Sequence, residues 1–136
     1  MKKAFLQAQK AFLIDEIPVG CVIVCKNKVI ACGYNKKESK KNAILHAEIV
    51  AINNACQKLG TWRLDNCEMY VTLEPCMMCM GAIIESRIKK VYYGVKSNNE
   101  QMYSKNDVSK FVELFCLNDS QCSTILSDFF VNKRKK

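Results

Sequence analysis

The feature of this sequence that most constrains its fold is a pair of short motifs, each placed at the start of a predicted helix. The chain contains a single histidine, in residues 46–48 (His-Ala-Glu), and residues 75–79 read Pro-Cys-Met-Met-Cys. One imidazole nitrogen and two cysteine sulfurs form a donor set that suits Zn²⁺. A helix N-terminus also helps to hold cysteines as thiolates. We therefore predict that His46, Cys76 and Cys79 bind one zinc ion per chain.

Three protein ligands leave the fourth tetrahedral position open, which is typical of a catalytic rather than a structural zinc site. A water at that position ionises near neutral pH and becomes a nucleophile. Glu48 lies two residues after the histidine, so it can reach this water without binding the metal. We predict that Glu48 is the catalytic acid and base. A redox Cys-x-x-Cys pair would not explain His46 and Glu48, and no second such pair is present to close a zinc ribbon.

The hydrophobic pattern predicts an alternation of helices and strands around one central sheet, which is the α/β class. The stretch 97–110 is polar and predicts a loop or a short helix. A helix that begins after residues 118–120 is predicted to run to about residue 131. The other predicted helices span 3–14, 46–59 and 76–86, and the predicted strands span 18–25, 28–34, 67–73, 88–93 and 111–116.

Length and cysteine usage narrow the class of protein. A chain of 136 residues predicts a single domain over 1–136. The nine cysteines are odd in number and lie mostly in apolar segments, which favours reduced thiols in the cytoplasm. The apolar runs are too short to cross a bilayer, and the N-terminus lacks the apolar core of a signal peptide. We therefore expect a cytoplasmic protein with no membrane partner.

The net charge of +8 favours a polyanionic partner such as nucleic acid, although the same charge could serve solubility. Part of it is a predicted basic C-terminal tail at about 132–136. If the partner is RNA, the candidate phosphate contacts are Lys36, Lys37, Lys40, Lys41, Arg87, Lys96 and the run 133–136.

The two motifs resemble the signature of zinc-dependent cytidine and nucleobase deaminases. The segments 17–20, 33–35, 46–49, 70–82 and 126–130 are similar to those of the bacterial tRNA-specific adenosine deaminases. This resemblance implies a three-layer α/β/α cytidine-deaminase-like fold with a central five-stranded mixed sheet. It also implies hydrolytic deamination of adenosine to inosine, with release of ammonia, at the wobble position of tRNA.

Roles for individual residues follow from the same resemblance. His46, Cys76 and Cys79 correspond to zinc ligands, and Glu48 corresponds to the proton shuttle. Asn35 resembles an asparagine that hydrogen-bonds the flipped base, although such a residue can also simply end a turn. Val19, Ala47 and Pro75 correspond to further substrate-binding positions. The implied partners are the anticodon stem-loop of tRNA and a second copy of the chain, which would pack on the small apolar residues 81–84 after Cys76.

Two segments depart from the family pattern. Residues 42–45 read Asn-Ala-Ile-Leu where the family often has Asp-Pro-Thr-Ala, and residues 94–99 lack the glycine-rich continuation. Both departures fall on predicted substrate loops. Two alternatives stay open: a guanine or cytosine deaminase that acts on a free base, and a non-enzymatic, zinc-stabilised nucleic-acid-binding module. A free base needs no basic surface, and a structural zinc site needs no Glu48.

Overall fold

Five strands form one mixed sheet in the order β2-β1-β3-β4-β5 in the computed structural model, which describes residues 1–98 and 101–134. β1 is antiparallel to β2 and β3, whereas β3, β4 and β5 run parallel. The elements are α1 Lys2–Leu13, β1 Gly20–Cys25, β2 Lys28–Tyr34, α2 Ala47–Leu59, β3 Cys67–Leu73, α3 Met77–Glu85, β4 Lys90–Val95, α4 Lys105–Val108, β5 Glu113–Cys116 and α5 Ser120–Arg134.

Helices α1 and α5 cover one face of the sheet at very short range. A Cβ on Gly20 of β1 would lie 2.1 Å from the carbonyl oxygen of Ala4 in α1. A Cβ on Gly94 of β4 would lie 2.6 Å from the sulfur of Cys122 in α5. Glycine is therefore the residue that lets these helices touch the strand backbone.

Helices α2 and α3 cover the opposite face. A Cβ on Gly33 of β2 would lie 2.7 Å from the carbonyl oxygen of Ala47, in the first turn of α2. Fully buried residues such as Met69, Met80 and Ile83 join the strands to these two helices in one hydrophobic core. The predicted three-layer α/β/α fold with a five-stranded mixed sheet is thus confirmed.

The element boundaries differ from the prediction by a few residues. The first strand begins at Gly20 rather than 18, since Pro18 has no N–H to donate to a ladder. Residues 105–108 form the short helix α4. Residues 132–134 of the predicted basic tail belong to α5, whereas 135–136 lie outside the described residues. Among the described residues, no helix has the length and apolarity that a membrane span requires.

The connection β3-α3-β4 positions the site. Because β3 and β4 are parallel, the chain must cross over between them, and α3 makes that crossover. The N-terminus of α3 follows directly after the carboxyl end of β3, and this edge of a sheet is where α/β proteins commonly bind ligands.

Candidate metal centre and its cavity

His46 and Cys76 each occupy the N-cap position of a helix. Both have extended backbone conformations, with φ/ψ of −70°/157° for His46 and −75°/175° for Cys76. Neither side chain makes a capping hydrogen bond to its own helix. Both side chains are therefore available to a ligand, and Cys79 joins them from the first turn of α3.

The three predicted zinc ligands lie together. The Nδ1 atom of His46 is 3.6 Å from the Sγ atom of Cys76 and 3.6 Å from that of Cys79. All three candidate ligand atoms lie within 4.8 Å of one another. In a tetrahedral zinc site with ordinary bond lengths, a nitrogen and a sulfur ligand are about 3.6 Å apart. The donor set and its spacing therefore fit a zinc ion.

The two sulfurs differ in their affinity for a proton. The hydrogen bond with the Cys79 thiol, and then that with His46, lowers the pKa of Cys76 to about 3. The same hydrogen bond, together with burial, raises the pKa of Cys79. The hydrogen bond with Cys76 raises the pKa of His46. Cys76 is thus stabilised as a thiolate, which is the form that binds a metal.

Glu48 lies on the first turn of α2, beside this group. Its side chain is buried, with 3% of the residue exposed, and burial raises its pKa to about 7. Burial has this effect because the charged carboxylate is disfavoured away from water. A carboxyl group that titrates near neutral pH can both accept and donate a proton under ordinary conditions.

A cavity of about 520 Å³ opens onto the site and has the size of a small-ligand pocket. Three of the four predicted substrate-binding residues line it, namely Val19, Asn35 and Ala47. Pro75, which precedes Cys76, is buried and is not among the described lining residues. Sequence analysis did not predict the other lining residues, which include Ile17, Leu73, Glu74, Met77, Met78, Ser97, Gln101 and Met102.

Asn35 is held in a fixed orientation. Its Nδ2 atom donates to the carbonyl oxygen of Ile17 at 3.2 Å, and its Oδ1 atom accepts from the backbone N–H of Lys37 at 3.1 Å. The predicted turn role is therefore present. One amide hydrogen and one lone pair are left over, because a carboxamide offers two of each.

Glu16 is a buried residue that sequence analysis missed. It is 1% exposed, and its carboxylate accepts the backbone N–H groups of Glu38 and Ser39 at 3.0 and 2.6 Å. These bonds anchor the lysine-rich loop that follows β2. Glu16 follows an aspartate between two isoleucines, a pattern that matches no motif and gives no sequence signal for this role.

Positive side chains surround the mouth of the cavity. Lys37 lines the cavity itself, and two shallow hollows adjoin it at Ile17. Lys133 lines one hollow, and Lys96 and Arg134 line the other. These four residues come from three separate segments of the chain, and the fold brings them to the same edge of the sheet.

The other candidate phosphate contacts are distributed differently. Lys36 lies over the ring of Tyr34, with its Nζ atom 4.8 Å from the ring centroid, and Lys40 and Lys41 are exposed on the loop after β2. Arg87 lies beyond the far end of α3, where its guanidinium donates to the carbonyl oxygens of Ile84 and Glu85. Arg87 therefore lies at the opposite end of α3 from the cavity.

Comparison with known proteins agrees with this geometry. The sequence pattern of the MafB19-like deaminases matches residues 1–134. The chain is 38% identical over 146 residues to a tRNA-specific adenosine deaminase of Bacillus subtilis, covering 100% of this chain and 89% of that protein.

Two solved structures are also similar. One, from a study of A-to-I editing by tRNA:A34 deaminases at the wobble position, is 34% identical with a TM-score of 0.85 and covers 93% of this chain and 97% of its own. The other, a guanine deaminase from Bacillus subtilis, is 34% identical with a TM-score of 0.66 and covers 82% and 68%. The match to the first extends over more of both chains. From this full-length similarity and the His-Cys-Cys group beside Glu48, we conclude that the chain belongs to the family of tRNA-specific adenosine deaminases.

Proposed function

We propose that this protein hydrolyses adenosine to inosine at the first anticodon position of tRNA and releases ammonia. One observation carries the proposal: His46, Cys76 and Cys79 lie together, and His46 and Cys76 line a cavity that the buried Glu48 also lines. The full-length similarity to a tRNA-specific adenosine deaminase supports the choice of substrate. The reaction forms a bond between C6 and a water oxygen and breaks the bond between C6 and its amino nitrogen.

His46, Cys76 and Cys79 would hold one zinc ion per chain, through Nδ1 and the two sulfurs. When bound, zinc supplies the Lewis acidity that makes a water nucleophilic near neutral pH. The side chains of the protein carry out the proton transfers. The ionised carboxylate of Glu48 accepts a proton as the water attacks C6 and donates it to the purine ring nitrogen N1. It then accepts the remaining proton from the new hydroxyl on C6 and donates it to the leaving amine, which departs as ammonia. Its raised pKa suits both halves of this cycle.

The walls of the cavity would hold the base. Val19 and Ala47 offer apolar contacts to the ring, whereas Pro75 is buried and is not among the lining residues. Asn35 offers its remaining amide hydrogen and lone pair to the edge of the base, and its two internal bonds keep that amide from rotating. Such a pocket admits a base only after it has left its stack, because C6 of a base within a helix is out of reach.

The charges at the mouth favour RNA over a free base. Lys37, Lys96 and Arg134 would contact phosphates near the flipped nucleotide, whereas the ammonium of Lys133 pairs with the carboxylate of Asp15. An anticodon loop presents unpaired, unstacked bases of this kind. A free base carries no phosphate and would make no use of these residues.

We further propose that the protein acts as a homodimer in the cytoplasm, where tRNA is available. The outer side of α3 supports a contact with a second copy: Met77 is 49% exposed, Gly81 is exposed, and a Cβ built on Gly81 would meet no atom within 4 Å. Ile83, which sequence analysis assigned to this contact, is instead fully buried in the core of its own chain. The contact would therefore use Met77, Gly81 and Ile84.

The decisive assay compares substrates. The zinc-loaded protein is incubated with an anticodon stem-loop whose first anticodon position is adenosine, and inosine is measured after digestion to nucleosides. A matched stem-loop carries its adenosine within the paired stem, and free guanine, cytosine and adenine are tested in parallel. We expect inosine from the first substrate alone. Activity on free guanine with none on the stem-loop would instead favour the guanine deaminase alternative, which the second solved structure keeps open.

A further inference from the structure

The turn that carries Cys76 is held in place by contacts from the segment 101–108. The hydroxyl of Tyr103 donates a hydrogen bond of 2.7 Å to the carbonyl oxygen of Pro75. That carbonyl belongs to the peptide unit that joins Pro75 to Cys76, at the N-cap of α3. The hydrogen bond therefore restrains the rotation of the peptide from which the Cys76 side chain extends.

The residue before Pro75 is held by charge. Glu74 is buried, with 5% of the residue exposed, and its Oε1 atom accepts the backbone N–H of Ser97 at 3.1 Å. Its Oε2 atom lies 2.9 Å from the Nζ atom of Lys105. Burial of a carboxylate without a charged partner lowers the stability of the fold. The positive charge of Lys105 therefore stabilises Glu74 in this position.

Lys105 is itself positioned by the sheet. Its Nζ atom lies 3.5 Å from the hydroxyl oxygen of Tyr93 and 5.8 Å from the centroid of the Tyr93 ring. Tyr93 is a buried residue of β4, next to the strand that ends in the Glu74 turn. The ammonium therefore has defined contacts on the sheet side even though about half of the side chain is exposed.

From these contacts we infer that Tyr103 and Lys105 are positioning residues for the metal centre. Tyr103 orients the peptide before Cys76, Lys105 fixes Glu74, and together they hold the α3 N-terminus at the spacing that His46 requires. Neither residue directly contacts the side chains of the three candidate zinc ligands. The inference rests on the proposed zinc site.

The test measures zinc retention as well as catalysis. Three variants are prepared with zinc bound: Tyr103→Phe, which keeps the ring, Lys105→Met, which keeps the length, and Lys105→Arg, which keeps the charge. Lys110→Met is the matched control, because Lys110 is an exposed lysine of the same stretch. Each protein is mixed with excess chromogenic chelator well below its unfolding temperature, and the rate of zinc loss is followed by absorbance. The kcat and KM on the stem-loop are measured separately.

We expect Tyr103→Phe and Lys105→Met to lose zinc about tenfold faster than the unmodified protein. This is the low end of the effect known for residues that support metal ligands, since these two act through the backbone. Lys105→Arg should restore most of the retention, and Lys110→Met should leave it unchanged. The kcat of the first two variants should fall, with a smaller change in KM.

Two results would overturn the inference. One is zinc loss at the unmodified rate in both Tyr103→Phe and Lys105→Met, even where their unfolding temperatures fall, since that is a structural role alone. The other is equal zinc loss from Lys105→Met and Lys105→Arg, which removes the role of charge. Zinc retention does not involve RNA. A protein that holds zinc as expected but modifies no stem-loop would therefore contradict the proposed function and leave this inference intact.

Discussion

The metal centre and the basic mouth of the cavity are built on different principles. The centre consists of buried or half-buried groups within 4.8 Å of one another, each on the first turn or N-cap of a helix. The mouth consists of exposed side chains from separate segments, such as Lys37, Lys96 and Arg134. We expect metal binding at the first region to depend on precise geometry, and RNA binding at the second to depend on summed charge. Single substitutions should therefore abolish function at the centre and only weaken it at the mouth.

The largest effect should come from Cys79, the fully buried member of the proposed ligand set. Cys79→Ala removes one of three donors, so zinc and deaminase activity should be lost together. Zinc content by atomic absorption and inosine formation on the stem-loop provide the two readings. Cys116→Ala, which removes a half-buried cysteine of β5, is the control and should keep both. Full zinc occupancy in the Cys79→Ala protein would rule out the ligand set.

A substitution of Glu48 should impair catalysis without loss of zinc, whereas a substitution of Cys79 should impair both. Glu48→Ala should retain zinc and the fold but reduce kcat by roughly 10²–10⁴-fold, because acid and base catalysis contributes about that much. Metal content, circular dichroism and single-turnover deamination would be compared with those of the unmodified protein. A variant within a few-fold of normal turnover would contradict the role of Glu48 in proton transfer.

Single substitutions at the mouth of the cavity should each reduce RNA affinity by a small amount. Lys37→Ala and Lys96→Ala should each weaken stem-loop binding and reduce the slope of log affinity against log salt by about 0.7, the value for one contact with single-stranded phosphate. Fluorescence anisotropy across a potassium chloride series measures both. Lys58→Ala, an exposed lysine in the last turn of α2, serves as the control. An unchanged slope in both variants would remove these lysines from the RNA interface.

The smallest effect should come from Arg87. Its guanidinium caps the carboxyl end of α3, whereas the cavity lies at the amino end. Nine helical residues separate the two ends by about 13 Å. Arg87→Ala should therefore change RNA affinity less than twofold in the same anisotropy assay. A loss as large as that of Lys37→Ala would place the RNA contact surface well beyond the mouth of the cavity.

Much of the metal centre could be predicted because its chemistry is local in the sequence. His46 and Glu48 are two residues apart, and Cys76 and Cys79 are three residues apart, a spacing that the first turn of a helix brings to one side. The fold class was equally accessible, since apolar periodicity changes clearly between strands and helices. The predicted turn role of Asn35 is present in its bonds to Ile17 and Lys37.

Other parts could not be predicted because they depend on contacts across long sequence separations. Tyr103 reaches Pro75 over 28 residues, and both it and Lys105 lie in a polar stretch without periodicity. Glu16 has no motif and is identified only by the two backbone N–H groups that it accepts. The convergence of Lys96 and Arg134 on one hollow likewise requires the packing of α5 against β4.

The contact between Gly33 and α2 has a consequence for how this sequence can evolve. Any side chain at position 33 would collide with the carbonyl oxygen of Ala47 and with the backbone nitrogen of Ala51, at 2.7 Å each. The start of α2 would have to shift outwards, and it carries His46 and Glu48, the proposed zinc ligand and proton shuttle. A saturation library selected for activity should therefore tolerate substitution at position 33 as poorly as at the zinc ligands, although that residue contacts neither metal nor RNA.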